Sequence, residues 1–294
     1  MIKKISLYLM SRKGFVVICD LIKNGYSSMI DTVVIAHDKN MQNDYYNEML
    51  TVCQESNIQV YDKNDNVIIS SDYCISIAWR WMIPRNDTST LIVLHDSLLP
   101  KYRGFSPLVN MLINKEPYIG VTSLLASDEY DKGDIISQRK TSIKYPIKVT
   151  DAIDKITLLF SEIVCDIFEK VKTGEELRAI PQKEEDSSYS LWRDENDYRI
   201  DWNQSSESIQ QFIYSVGYPF KGASTTLDNK LIRILDCTIE EDVKIENRQV
   251  GKVIFMKNGF PIIVCGKGLI RITKALFDDG SDALPFNKFR ARLI

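Results

Sequence analysis

Histidine is the side chain whose ordinary pKa lies nearest neutrality, and this 294-residue chain has two of them in different settings. His37 ends a β-branched run and enters the polar turn Asp38-Lys39-Asn40, which reads as an exposed loop. His95 ends the run Leu91–His95 and is followed by Asp96-Ser97-Leu98-Leu99-Pro100-Lys101-Tyr102-Arg103-Gly104, dense in turn formers, hydrogen-bonding groups and base. A second concentration is Ser127-Asp128-Glu129-Tyr130-Asp131-Lys132-Gly133-Asp134, where four acids fall within seven residues. A strand-end imidazole needs a carboxylate to fix its tautomer and raise its basicity, and this loop can supply one for acid–base chemistry. Each feature also has a plainer reading: a histidine satisfying strand-end carbonyls, and a solvated turn.

The elements that must position these groups follow from periodicity. Lys4–Leu9 reads as a buried strand, residues 14–24 as a helix closed by Gly25, Asp31–Ala36 as a second strand and 41–55 as a second helix. Val67–Ser70, Tyr73–Trp79 and Leu91–His95 read as further strands. Strand and helix in alternation predict a parallel sheet with crossovers, whose ligands gather beyond the carboxyl ends of the strands, where His95 stands. From Thr150, a candidate N-cap, to Lys172 the residues Ile153, Ile156, Phe160, Ile163, Ile167 and Val171 form one apolar helical stripe, read as core. A polar stretch over 182–190 reads as a linker. A helix near 206–216 and strands around 230–238, 250–256, 260–265 and 269–274 make up the remainder. The expected fold is α/β: a Rossmann-like, mostly parallel sheet over 1–180, a linker over 181–203 and a smaller β-rich domain over 204–294.

Lysine and arginine total 37 against 40 acids, a formal charge of −3, which gives no general attraction to a polyanion. The first strand-to-helix turn, Leu9 to Phe15, holds one glycine and neither G-x-G-x-x-G nor the P-loop pattern, so no dinucleotide or NTP motif is present. Six scattered cysteines without a C-x-x-C pair read as reduced structural thiols, with no metal site expected. The basic-then-apolar first ten residues are interrupted by Ser11-Arg12-Lys13 and lack a small-residue cleavage site, so a cytoplasmic protein is expected.

The run His95-Asp96-Ser97-Leu98-Leu99-Pro100-Lys101-Tyr102-Arg103-Gly104-Phe105-Ser106-Pro107, then Gly120-Val121-Thr122, then Asp131-Lys132-Gly133-Asp134-Ile135-Ile136, resembles the formyltransferases that use 10-formyltetrahydrofolate. Ile200-Asp201-Trp202, Tyr218-Pro219-Phe220-Lys221-Gly222-Ala223 and Val264-Cys265-Gly266-Lys267-Gly268 extend the similarity into the linker and C-terminal domain of the branch with methionyl-tRNA and sugar N-formyltransferases. The resemblance implies His95 and Asp131 as catalytic residues. Trp81, Met82, Ile83, Ser127, Asp128 and Tyr130 would hold the folate co-substrate. Arg80, Trp192, Arg193 and Tyr218 would hold a dTDP- or UDP-linked amino sugar destined for O-antigen or related polysaccharide. No metal, nucleic acid or membrane partner is implied, and relatives of this branch are commonly homodimers. A methionyl-tRNA formyltransferase and a catalytically silent folate- or nucleotide-sugar-binding relative are the alternatives. One departure stands out: the family's asparagine, two residues before the histidine, falls on Val93, which cannot donate a hydrogen bond.

Overall fold

The computed structural model describes residues 3–294 apart from 39, 40, 42, 66, 68, 85–87 and 287. It divides into two compact units, Met1–Leu108 with Tyr118–Ser142 and Ile153–Leu191, and Val109–Pro117 with Ile143–Ala152 and Trp192–Ile294.

In the first unit, β1 (Ile5–Leu9), α1 (Ser11–Lys23), β2 (Ile30–Ile35), α2 (Tyr46–Glu55), β3 (Val60–Asp62), β4 (Tyr73–Ile77) and β5 (Thr90–His95) follow one another. After a two-residue β6 (Arg103–Gly104) and α3 (Pro107–Ile113), which belongs to the second unit from Val109, come β7 (Tyr118–Leu125), β8 (Ile135–Ser142), α4 (Val149–Thr173), in the first unit from Ile153, and β9 (Tyr189–Ser190). The sheet order is β3-β2-β1-β4-β5-β7-β8. The first five strands pair in parallel, whereas β7 and β8 are antiparallel additions. The chain moves outward from β1 to β3 and then returns to β4 on the other side of β1. That reversal opens a crevice beyond the strand ends.

Strand β1 is wholly buried, as a strand covered on both faces must be. Helix α1 begins three residues earlier than its periodicity suggests and ends as Gly25 predicts. The N–H of Gly25 donates to the carbonyl of Ile22 and that of Tyr26 to Leu21, the bond pair that closes a helix with a left-handed residue. Helix α4 starts at Val149, so Thr150 lies inside its first turn and is not the cap. Its stripe is core as read: Ile156, Phe160 and Ile163 are fully buried, and the Phe160 ring carries the Lys13 ammonium 5.2 Å from its centre. The described residues of 67–70 form no strand; the strand material lies earlier, at β3, a three-residue edge strand too short to show alternation. Ile69 instead packs with Tyr8, Val34 and Cys74 as a cover on one sheet face, joined by Val67, Trp79, Ile83 and Leu91.

The second unit holds α5 (Ser206–Ser215) and an antiparallel sheet of β10 (Ala223–Leu227), β11 (Lys230–Glu240), β12 (Val253–Lys257), β13 (Phe260–Val264) and β14 (Leu269–Phe277), in the order β10-β11-β14-β13-β12. The β10 run Ala-Ser-Thr-Thr-Leu is weakly apolar and gave no strand signal; Thr225 is buried there because its hydroxyl accepts the Trp202 indole N–H at 3.1 Å. Among the described residues, no helix is long and apolar enough to cross a membrane.

Phe160→Ala should cost about 3–5 kcal/mol, the scale for deleting a buried aromatic, as read from denaturant unfolding. A change under ~1 kcal/mol would show that the helix does not rely on this ring. Several carboxyls of the second unit are held below their usual range. Burial would raise Asp236, but bonds from Lys148, Tyr214 and the Cys237 N–H outweigh it, while Lys257 lowers Glu240 and Arg248 lowers Asp242. Groups depressed by folding stabilise fully above their unfolded pKa of about 4 and lose that contribution as pH falls through the folded values. The calorimetric midpoint should therefore fall progressively on acidification below that point; a flat profile would contradict the assignment.

Candidate active site

Strand β5 delivers His95, 8% exposed, to its carboxyl end, and β7 lies antiparallel beside it with Thr122 opposite His95. Thr122 is the hub of the polar bonds around the turn after His95. Its hydroxyl donates to the Ser97 carbonyl at 2.7 Å and accepts from the Leu99 N–H at 3.1 Å and from Gln138 Nε2 at 2.9 Å. One hydrogen and two lone pairs are all a hydroxyl offers, and all are used. Gln138 also donates to the Leu99 carbonyl at 2.8 Å, and Ser97 Oγ donates to the Lys101 carbonyl at 2.6 Å. The turn is thereby tied to β7 and β8 by buried polar bonds, which fix one loop conformation because leaving any of them unmade is costly.

The acidic loop comes from an unexpected direction. Strand β7 ends near the start of β5, where the Ala126 N–H donates to the Leu91 carbonyl at 2.9 Å. To meet His95, residues 126–134 must turn back along the sheet, and Asp131 takes a left-handed φ of 56° in doing so. Its Oδ1 lies 3.4 Å from His95 Nδ1, and its Oδ2 accepts the Gly104 N–H at 2.8 Å. His95 Nε2–H donates to the Tyr102 carbonyl at 2.8 Å. Nε2 therefore carries a hydrogen while Nδ1 faces the carboxylate, which balances an imidazolium when Nδ1 is protonated. Gly104 has a φ of 97°, and a side chain there would lie 2.6 Å from the Ser190 carbonyl, so only glycine brings its N–H to Asp131.

A buried cation holds this loop, and sequence reasoning missed its partner. Arg103 is 1% exposed. Its Nε and Nη2 donate to Gln182 Oε1 at 3.1 and 2.9 Å, and its Nη1 donates to Glu184 at 2.8 Å and to the Tyr189 hydroxyl at 3.3 Å. Gln182 Nε2 in turn donates to the carbonyls of Asp131 and Gly133 at 2.7 and 2.8 Å. Burial works against the Arg103 charge, but its bonds to Glu184 and Tyr189 prevail and raise its pKa, while Glu184 is held below the usual carboxylate range by Arg103. The polar stretch expected as a linker is here bonded to the site, with β9 parallel to β6. An amide in a polar run carries no periodic signal; the only hint was the buried-type setting of Arg103 between Pro100 and Gly104.

Residues 27–162 match the family model described as formyl transferase, and residues 193–290 match formyl transferase, C-terminal domain. The chain belongs to the formyltransferase family. It is 27% identical over 233 residues to the methionyl-tRNA formyltransferase of Streptococcus agalactiae, covering 75% of this chain and 73% of that one. In fold it is similar to the N-formyltransferase from Helicobacter canadensis solved with folinic acid and dTDP-3-aminofucose (TM-score 0.71, 17% identity, 92% of this chain and 99% of that one). It is also similar to HypX from Aquifex aeolicus solved with tetrahydrofolic acid (TM-score 0.67, 18% identity), where the match covers 95% of this chain but spans 45% of HypX.

The other residues singled out in this formyltransferase are dispersed. Trp81 stands edge-on to Trp79 with centroids 5.2 Å apart and carries Lys63 at 4.3 Å; Met82 is exposed and Ile83 packs on the Tyr8 cover. The Trp79 Nε1–H is buried without a partner among the described residues, an orphaned donor between aromatic rings. Ser127 donates to the Glu129 carbonyl at 2.6 Å, Asp128 is exposed, and the exposed Tyr130 ring lies 6.3 Å from that of Phe105. Arg80 pairs at 2.6 Å with the buried Asp38. In the second unit Trp192 and Tyr218 are exposed, whereas Arg193 is committed to Asn110 at 2.9 Å and to the Asp197 carbonyl at 3.0 Å, with burial lowering its pKa. His37, more than half exposed, stacks on Tyr46 and meets Asp44 at 2.8 Å; Lys39 and Asn40 of its turn lie outside the described residues. No group of three or more metal-ligating side chains occurs among the described residues.

Thr122→Val keeps the shape and deletes the hub. It should cost about 1–3 kcal/mol in denaturant unfolding, the scale of stranding a buried donor and acceptor, with Thr122→Ser close to wild type. Equal stability of the valine variant would remove Thr122 from that position.

Proposed function

We propose that this formyltransferase moves a formyl group from 10-formyltetrahydrofolate to the primary amine of a nucleotide-linked amino-dideoxy sugar, in the assembly of O-antigen or a related surface polysaccharide. The observation that carries the reading is the His95–Asp131 pair at the carboxyl end of β5. The folate supplies an activated formyl carbon. Attack by the neutral amine puts charge on the formyl oxygen, which needs a donor in a partly desolvated place. His95 Nε2–H, now held by the Tyr102 carbonyl, is that donor once substrate offers a better acceptor, since such bonds tighten only in the reacting complex. Asp131 keeps the ring oriented and balances its charge. The proton that the amine must lose passes through this pair by way of water.

The orphaned Trp79 N–H and the Trp81 edge, with Met82, Ile83, Ser127, Asp128 and Tyr130, suit a flat heterocycle carrying acceptor atoms. On the acceptor side, Trp192 and Tyr218 offer exposed rings for a base. Arg193 of the same unit is proposed for the diphosphate and would exchange a bond it now makes to Asn110, while Arg80, the other cation named from the sequence, is paired with Asp38 in the first unit. Charge supports a small anionic acceptor over an acceptor stem. Binding of a nucleic acid rests on unpaired cations, yet the chain is net acidic, and Lys148, Arg233, Arg248, Lys257 and Arg271 of the second unit are all paired with carboxylates. The methionyl-tRNA reading draws on the sequence relatives.

Tetrahydrofolate release would be followed with 10-formyltetrahydrofolate and either dTDP- and UDP-linked amino sugars or methionyl-tRNA. Turnover with a sugar nucleotide alone is the expected result. Turnover with methionyl-tRNA alone selects the second reading, and binding of both ligands without transfer selects a silent relative. His95→Asn should lower kcat about a hundredfold or more, the scale of losing a main oxyanion donor; near-native turnover would dismiss His95 from the chemistry.

A further inference from the structure

Resting on the formyl-transfer reading, we propose that Ser76 is a second hydrogen-bond donor to the formyl oxygen, filling from the neighbouring strand the place that Val93 leaves apolar.

The sheet register puts these groups on one face. Val93 and His95 are two residues apart on β5 and therefore point the same way. Ser76 of β4 is the direct partner of Val93 in the parallel ladder, so their side chains stand side by side, one strand spacing of about 4.8 Å apart. Tyr8 of β1 continues that row on one side and Leu124 of β7 on the other. The face is the one that Trp79, Ile83 and the rest of the Tyr8 cover partly close, and the one from which His95 meets Asp131.

Nearness to Val93 then favours Ser76. Val93 and Leu124 have no polar hydrogen to give. Thr122, level with His95, spends its hydrogen on Ser97. Tyr8 belongs to the apolar cover and stands one strand farther from Val93 than Ser76 does. Ser76 is 6% exposed, and its hydroxyl has no hydrogen-bond partner among the described residues. A hydroxyl that no described residue engages, yet that is not shut away from solvent, keeps its hydrogen for a ligand entering beside the imidazole. In the reaction the amine nitrogen bonds to the formyl carbon while the bond from that carbon to the folate nitrogen breaks, and the proton released by the amine ends on the folate nitrogen. Ser76 transfers nothing. It donates a hydrogen bond to the oxygen while that oxygen carries charge, so its effect falls on kcat more than on substrate binding.

The test is steady-state kinetics of Ser76→Ala, Ser76→Cys and Ser76→Thr in the full chain with the sugar nucleotide the wild type accepts. The alanine and cysteine variants should lose tenfold or more in kcat with both KM values within about threefold and an unchanged melting temperature, and threonine should retain most of the activity. The cysteine variant keeps the packing volume, so it decides the matter if alanine disturbs folding. Wild-type kcat in either variant, a loss confined to KM, or an equal loss in Ser76→Thr would overturn the role of Ser76 while leaving formyl transfer intact. An inactive wild type would instead overturn the reading beneath it.

Discussion

Asp131 reaches His95 only because a buried guanidinium keeps the acidic loop folded back over the sheet. Arg103 cannot be left uncompensated at 1% exposure, since an unpaired interior charge is among the most expensive features a fold can carry. Its demand for acceptors draws in Gln182, Glu184 and Tyr189 from a polar stretch with little apolar surface of its own. Gln182 then passes the constraint onward through two carbonyl bonds that bracket the turn at Asp131. The carboxylate that faces the imidazole is thus positioned by a chain of hydrogen bonds beginning at a residue that touches neither.

A second constraint works from the opposite side. The turn after His95 buries Leu99, and its backbone is held by polar bonds converging on Thr122, Gln138 and Ser97. Both loops are held by buried polar networks, and such networks specify one geometry more sharply than apolar packing does. A formyl oxygen changes charge with little movement of its own, and its donors must already be in place. Loops bonded this fully at the carboxyl end of an interior strand meet that need. The buried Trp79 N–H is where the saturation stops, on the sheet face that bears His95.

Much of this was legible from residue order. The alternation of apolar runs and amphipathic stretches gave β1, β2, β4, β5 and the helices between them, because a parallel strand buried on both faces must be continuously apolar. The α4 stripe was equally plain, since a long helix against a sheet needs one apolar face. Elements that rely on partners were not. β3 has three half-buried residues, β10 reads Ala-Ser-Thr-Thr-Leu, and β9 is a two-residue pairing inside a polar run. Arg193, read from the sequence as a partner for the sugar nucleotide, is bonded to Asn110, a residue far away in the chain, and spacing gave no sign of that bond.

Residue types along the chain fixed which groups could do chemistry here: an imidazole leading into a turn rich in hydrogen-bonding groups, one acidic loop, and Gly104, which allows a close approach to the aspartate. Those choices are local, set by the backbone freedom and proton affinity of single residues. Tertiary structure decided that the loop doubles back to bring Asp131 to Nδ1, that Gln182 anchors it, and that Ser76 stands beside Val93. Register and long-range hydrogen bonds depend on which strands become neighbours, and spacing along one strand carries no record of the strand that will lie next to it.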